Sequence, residues 1–89
     1  MDKPTNPNPE LKPTAFFLEM EARLFENRKK TGWDNLPNQF LVNNIKKHLG
    51  RLERSLNIVK PSMREVIKNC ADLANFAMMV SDNISKETD

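Results

Sequence analysis

The chain has a single cysteine, so no disulfide within it can brace the fold. Cys70 stands in a helical apolar pattern and reads as a small buried hydrophobe in a reducing compartment. Nothing beside it marks a nucleophile. Long hydrophobic runs are missing too. The longest, Phe76 to Val80, is far too short to cross a bilayer, and no signal peptide is recognisable. The expectation is a cytoplasmic protein with no membrane partner. No stretch alternates with period two, which argues against strands. The net charge is only +2, so the molecule as a whole is no magnet for polyanions.

What charge there is falls in patches. Residues 23–30, "RLFENRKK", carry four basic groups against one acid, and residues 46–54, "KKHLGRLER", carry four against one with His48 among them. The end, "SDNISKETD", leans acidic. Two local basic patches on a nearly neutral chain suit a bounded anionic ligand better than a long polyanion. With no recognition-helix motif, nucleic acid is disfavoured as a partner.

At 89 residues the chain makes one domain, near the lower limit for folding around a single core. Residues 1–13 hold four of the six prolines and read as a flexible arm without fold or chemistry. Residues 14–86 read as one helical domain, with 87–89 a tail. The first helix is expected from Thr14, carrying Phe17, Met20, Leu24 and Phe25 at helical spacing and stopping at Gly32. Trp33 follows, then Asp34 and Asn35 as caps for a second helix over about Leu36 to Leu56. Pro37 falls in its first turn, and Leu41, Ile45, Leu49, Leu52 and Leu56 form its seam. Gly50 inside that helix costs roughly 1 kcal/mol relative to alanine. Ser62 with Glu65 three residues on is a capping-box signature for a third helix. Its seam is expected to comprise Met63, Val66, Ile67, Cys70, Leu73, Ala74, Ala77, Val80 and Ile84. Phe76, Met78 and Met79 lie off that line and leave an apolar face in need of a partner. The fold class is therefore all-α: a short N-terminal helix plus a long antiparallel helical hairpin, assembling with further copies of itself into an oligomeric helix bundle.

Three segments, "MEARLFENRKKTGW", "FLVNNIKKHLGRLERSL" and "REVIKNCADLANFAMMVSDNI", resemble the MazG-like all-α nucleoside triphosphate pyrophosphohydrolases. The likeness covers about residues 19–84, is nearest to the short forms of phages and prokaryotes, and is most specific at "ADLANFAMMVSDN". It implies a helical bundle that assembles as a dimer or higher oligomer. In that family one helix supplies E-E-V-x-E-L and the next E-x-x-D, and these carboxylates hold magnesium, which holds a nucleotide's phosphates. Acids three apart share a helix face, so two facing helices can present four carboxylates to hard cations.

Here the pattern departs from the family. The first acidic segment falls on Lys47 to Leu52, placing His48 and Arg51 where metal-binding acids are expected. In the second motif Asn69 replaces the glutamate; only Asp72 remains, followed by Asn75. One carboxylate, an imidazole and a guanidinium make a poor magnesium site, and Arg51 would repel the cation. The expectation is no metal, no cofactor and no catalytic residue. His48 has no serine or cysteine nucleophile to serve as base.

Two readings of the altered residues follow. In one, His48 and Arg51 pair with Asn69 and Asp72 across the hairpin, the former site is filled, and the function lies on another surface. In the other, Lys47, His48 and Arg51 grip phosphate oxygens directly, Arg51 as a bidentate fork. Asn69 lines that site and Asp72 or Asn75 binds a base edge or sugar. Trp33 or Phe40 stacks on the base, although a tryptophan between two helices is more often a plug, and Lys30 reaches in from its loop, although its plainer role is a helix-end charge. The leading expectation is a non-catalytic nucleotide-binding protein, a sponge or sensor, in a phage setting one that sequesters a host signalling nucleotide. The alternatives are an inhibitor or adaptor of a host protein and, last, a residual magnesium-dependent pyrophosphohydrolase.

Overall fold

A computed structural model describes residues 12–27 and 32–87. Among these residues the regular structure is helical throughout. Most of the proline-rich arm, Lys29, Lys30 and the last two residues lie outside them.

Helix α1 runs Pro13–Glu26. Its first position is Pro13, whose missing amide costs nothing where no carbonyl precedes to receive it. Thr14 is thus inside the helix rather than its cap. The helix closes at Asn27, whose amide returns to the Arg23 carbonyl at 2.9 Å, earlier than the Gly32 stop expected. Gly32 has another task. At φ 93° it takes the left-handed conformation that admits glycine freely, and it opens a 3₁₀ turn over Trp33–Asn35. Asp34 and Asn35 are spent in that turn and do not cap the next helix. Leu36 is held extended, as the residue before a proline prefers, so α2 starts at Asn38 with Pro37 as its N-cap and runs to Leu56. Helix α3 spans Met63–Glu87. The Ser62 hydroxyl accepts from the Glu65 amide at 3.2 Å, one half of the expected capping box; the Glu65 carboxylate turns to Lys68 at 3.6 Å.

α3 is the element on which the others lie, α2 along it and α1 and the 3₁₀ turn against it. Partners run in reverse order along α2 and α3. Asn38 meets Asn83, His48 meets Asp72 and Phe76, and Ser55 shares a groove with Ser62 and Asn69. The core is Leu41, Phe76 and Met79, packed by Leu24, Trp33, Leu36, Ile45, Met78 and Val80.

This core corrects the expected seams. Phe76 and Met79 are interior, 5% and 1% exposed, and Met78 packs against them; none is the outward apolar face. The buried line of α3 is Ala71, Asp72, Asn75, Phe76, Met79 and Asn83. Of the residues expected there, Met63 and Ile84 are exposed and Cys70 only half-buried. On α2 the buried positions are Leu41 and His48, while Leu49 and Leu56 face outward. No helix among the described residues is long and apolar enough to cross a membrane.

Candidate functional site

Asp72 sits in the middle of α3, almost fully buried, and its carboxylate organises what surrounds it. A buried carboxylate needs paired donors, and α1 supplies them. Arg23 grips it as a fork, Nε to Oδ1 at 2.8 Å and Nη2 to Oδ2 at 2.9 Å, and Asn27 donates to Oδ1 at 3.3 Å. The free Nη1 of Arg23 reaches Glu26 at 2.6 Å. These bonds, that to Asp72 first, raise the Arg23 pKa further above its already high ordinary value against the opposing cost of burial.

His48 approaches the same carboxylate from α2, but its Nδ1 lies 3.9 Å from Oδ2, too far for a hydrogen bond, and finds no partner among the described residues. Its ring stacks on Phe76 with centroids 5.3 Å apart. Burial pushes the His48 pKa below its ordinary value; Asp72 opposes this, and Arg51, Lys47 and Arg23 reinforce it. Asn75 is fixed by a different bond, donating to the Met20 carbonyl of α1 at 2.9 Å.

The expected site residues therefore separate. His48 and Asp72 face each other across α2 and α3, and Asn75 is buried one turn further along α3. Arg51 does not join them: Asp72 is taken by Arg23, and Arg51 lies on a groove of about 340 Å³ between the end of α2 and the start of α3. Asn69 lines the same groove, with Arg54, Ser55, Ser62 and Glu65. Lys47 is exposed one turn before Arg51. Trp33 lies by the far end of α3, where its Nε1 donates to Asp82 at 2.9 Å and its carbonyl accepts from Asn83 at 3.1 Å. That indole bond, then the Lys86 ammonium, holds the Asp82 carboxyl below its ordinary range. There Trp33 packs half-buried against the core, and Phe40 is exposed. Lys30 lies outside the described residues.

Arg23, Asn27 and Glu26 were not foreseen. Their signal was the basic run at 23–30, with Arg23 and Asn27 one turn apart on a face, but the partner lies 49 residues away in sequence.

The residues do not fit the magnesium that the resemblance implies. Both oxygens of the one carboxylate are engaged by a guanidinium, and the described residues contain no cluster of three or more His, Cys, Asp or Glu able to hold a metal. No protein-family model, no characterised protein and no solved structure matches the chain.

Proposed function

We propose that the chain is a non-catalytic binding protein: an α2–α3 hairpin on a pyrophosphohydrolase-like scaffold, assembled from several copies, that takes a phosphate-bearing nucleotide without metal. The observation that carries this reading is the division of the basic residues. Arg23 is consumed inside the fold by Asp72, whereas Arg51 and Arg54 open onto a groove with the hydroxyls of Ser55 and Ser62 and the amide of Asn69. Guanidinium forks with hydroxyl and amide donors are the chemistry that receives phosphate oxygens, and Lys47 adds charge one turn away. The groove volume falls within the few-hundred Å³ typical of small-ligand sites. Hydrolysis needs an activated water, and Glu65, the carboxylate that lines this groove, is turned to Lys68 at 3.6 Å, so on this reading the ligand is held intact. Sequestering a signalling nucleotide, as an anti-defence protein of a phage would, is a role of this kind.

The test is incubation with linear and cyclic nucleotides, with magnesium or with chelator, followed by filtration and analysis of both fractions. Intact nucleotide recovered from the denatured protein in chelator supports the reading, and Arg51→Glu should abolish retention while helix content is unchanged. New products formed only with magnesium would replace it with the enzyme.

A second reading, a protein–protein adaptor with a vestigial site, draws on the connection between α2 and α3. There Ile58, Val59 and Met63 are 54%, 98% and 76% exposed, an apolar tip suited to a protein partner such as a host factor. Passage of every nucleotide unretained would favour it.

A further inference from the structure

The turn between α2 and α3 is the most exposed apolar part of the described chain. Val59 at 98% and Met63 at 76% lead its exposed large hydrophobic residues, and Leu56 and Ile58 stand beside them at 53% and 54%. Four such side chains thus fall within residues 56–63. A side chain as open as Val59 stands off the surface rather than lying on it, so the tip is convex. Pro61, its own φ fixed, restricts the turn from within.

Charge of one sign prevails around this tip. From Arg51 to Arg64 the basic residues are Arg51, Arg54, Lys60 and Arg64, against the single acid Glu53. All of them are exposed. Arg64 is held by Glu19 at 2.8 Å, while Arg51, Arg54 and Lys60 have no ion pair among the described residues. Glu65, the next acid along, is turned to Lys68 at 3.6 Å. The bases come from the end of α2, the turn and the start of α3, so the apolar side chains have cations on both helices and between them.

We propose that this tip docks the protein on an anionic lipid surface. Ile58, Val59 and Met63 enter the acyl boundary, and Arg54, Lys60 and Arg64 rest among the headgroup phosphates, their stems following the apolar residues inward. Shape favours a bilayer over a protein groove, because a convex apolar tip needs a receptor that yields to it. Charge favours it as well. Bases spread over three segments match a mobile sheet of phosphates, whereas a folded partner would need an acid placed for each.

No described helix is long and apolar enough to cross a membrane, and the proposal needs none. The expectation of no membrane partner rests on the want of a spanning segment, which a surface contact does not require. The inference is separate from the nucleotide reading, although Arg54 borders both surfaces, and it gives the tip a lipid in place of the adaptor's protein partner.

The experiment is co-sedimentation of the full chain with vesicles of phosphatidylcholine alone or mixed with phosphatidylglycerol, at low ionic strength. The protein is expected to pellet with the mixed vesicles and to stay in solution with the neutral ones. Val59→Asp exchanges an apolar contact for a repelled charge and should weaken binding roughly tenfold. Lys60→Gln removes one cation and should weaken it about fivefold. Both side chains are exposed, so neither change disturbs the fold. Gln39→Asp adds the same charge at the opposite end of α2 and should leave binding nearly unchanged. Protein left in solution by both vesicle types overturns the proposal and leaves the tip to a protein partner. Binding that ignores the anionic lipid overturns it too, and so does a Val59→Asp variant that pellets as the wild type does. Nucleotide retention without vesicles tests the ligand reading alone, so the failure of one is distinguishable from the failure of the other.

Discussion

Arg23 of α1 holds both carboxylate oxygens of Asp72 of α3, at 2.8 and 2.9 Å, with the two side chains 14% and 6% exposed. A pair so enclosed is sensitive to the loss of one member, because the other charge then stays buried without its partner. Arg23→Ala is expected to destabilise the fold by about 3 kcal/mol. Arg23→Met with Asp72→Leu should recover most of that loss, since removing both charges removes the penalty. Urea unfolding at pH 7 and one fixed protein concentration measures both.

His48 sets a pH dependence. Its folded pKa lies below the ordinary value of 6.5, chiefly because burial disfavours the imidazolium. The unfolded chain therefore takes up a proton first as pH falls, and stability rises with pH wherever the unfolded state binds more protons. The contribution is intact above pH 6.5 and is lost as pH drops from there toward the depressed folded value. Thermal melts from pH 8 downward should show this slope, and His48→Gln should flatten it in that window.

Gly50 is dispensable. A methyl group at this position would meet only the Nη1 of Arg54, at an ordinary 3.5 Å, and the residue lies within α2. Gly50→Ala should stabilise the chain by about 1 kcal/mol through helix propensity and a less flexible unfolded state. An unchanged or lowered melting temperature would show that something else approaches the backbone there.

Trp33→Phe keeps the ring against the core and removes the donor to Asp82. A modest loss of stability is expected. Asp82→Asn retains an acceptor oxygen and should cost less, which chemical unfolding of the two variants will rank.

The helices were legible in the sequence because their signals are local. Ser62 caps its helix by a bond to an amide three residues on, and Pro37 dictates the conformation of its neighbour. Which side of each helix faces inward was not legible. Periodicity finds the apolar stripe, but on α3 its two ends, Met63 and Ile84, are exposed, while the buried line includes Asp72, Asn75 and Asn83, which resemble surface residues when read in sequence. His48 on α2 misleads in the same way, drawing attention to Leu49 beside it. The partner of Asp72 could not be named from local pattern, because Arg23 reaches it only through the docking of α1.

That docking is largely polar. α1 is tied down by Arg23 and Asn27 on Asp72, by Glu19 on Arg64 at 2.8 Å and by the Met20 carbonyl on Asn75, while Phe17, Leu18 and Phe25 are 57%, 60% and 68% exposed. Helices held this way open before those held by apolar burial. Amide hydrogens of α1 should exchange with solvent sooner than those of α2 and α3, in a local opening that bares Asp72 while α2 stays on α3. The buried acid is then hidden only for the fraction of time that α1 is seated, and the lifetime of that seat, more than the depth of burial, governs how often water reaches it.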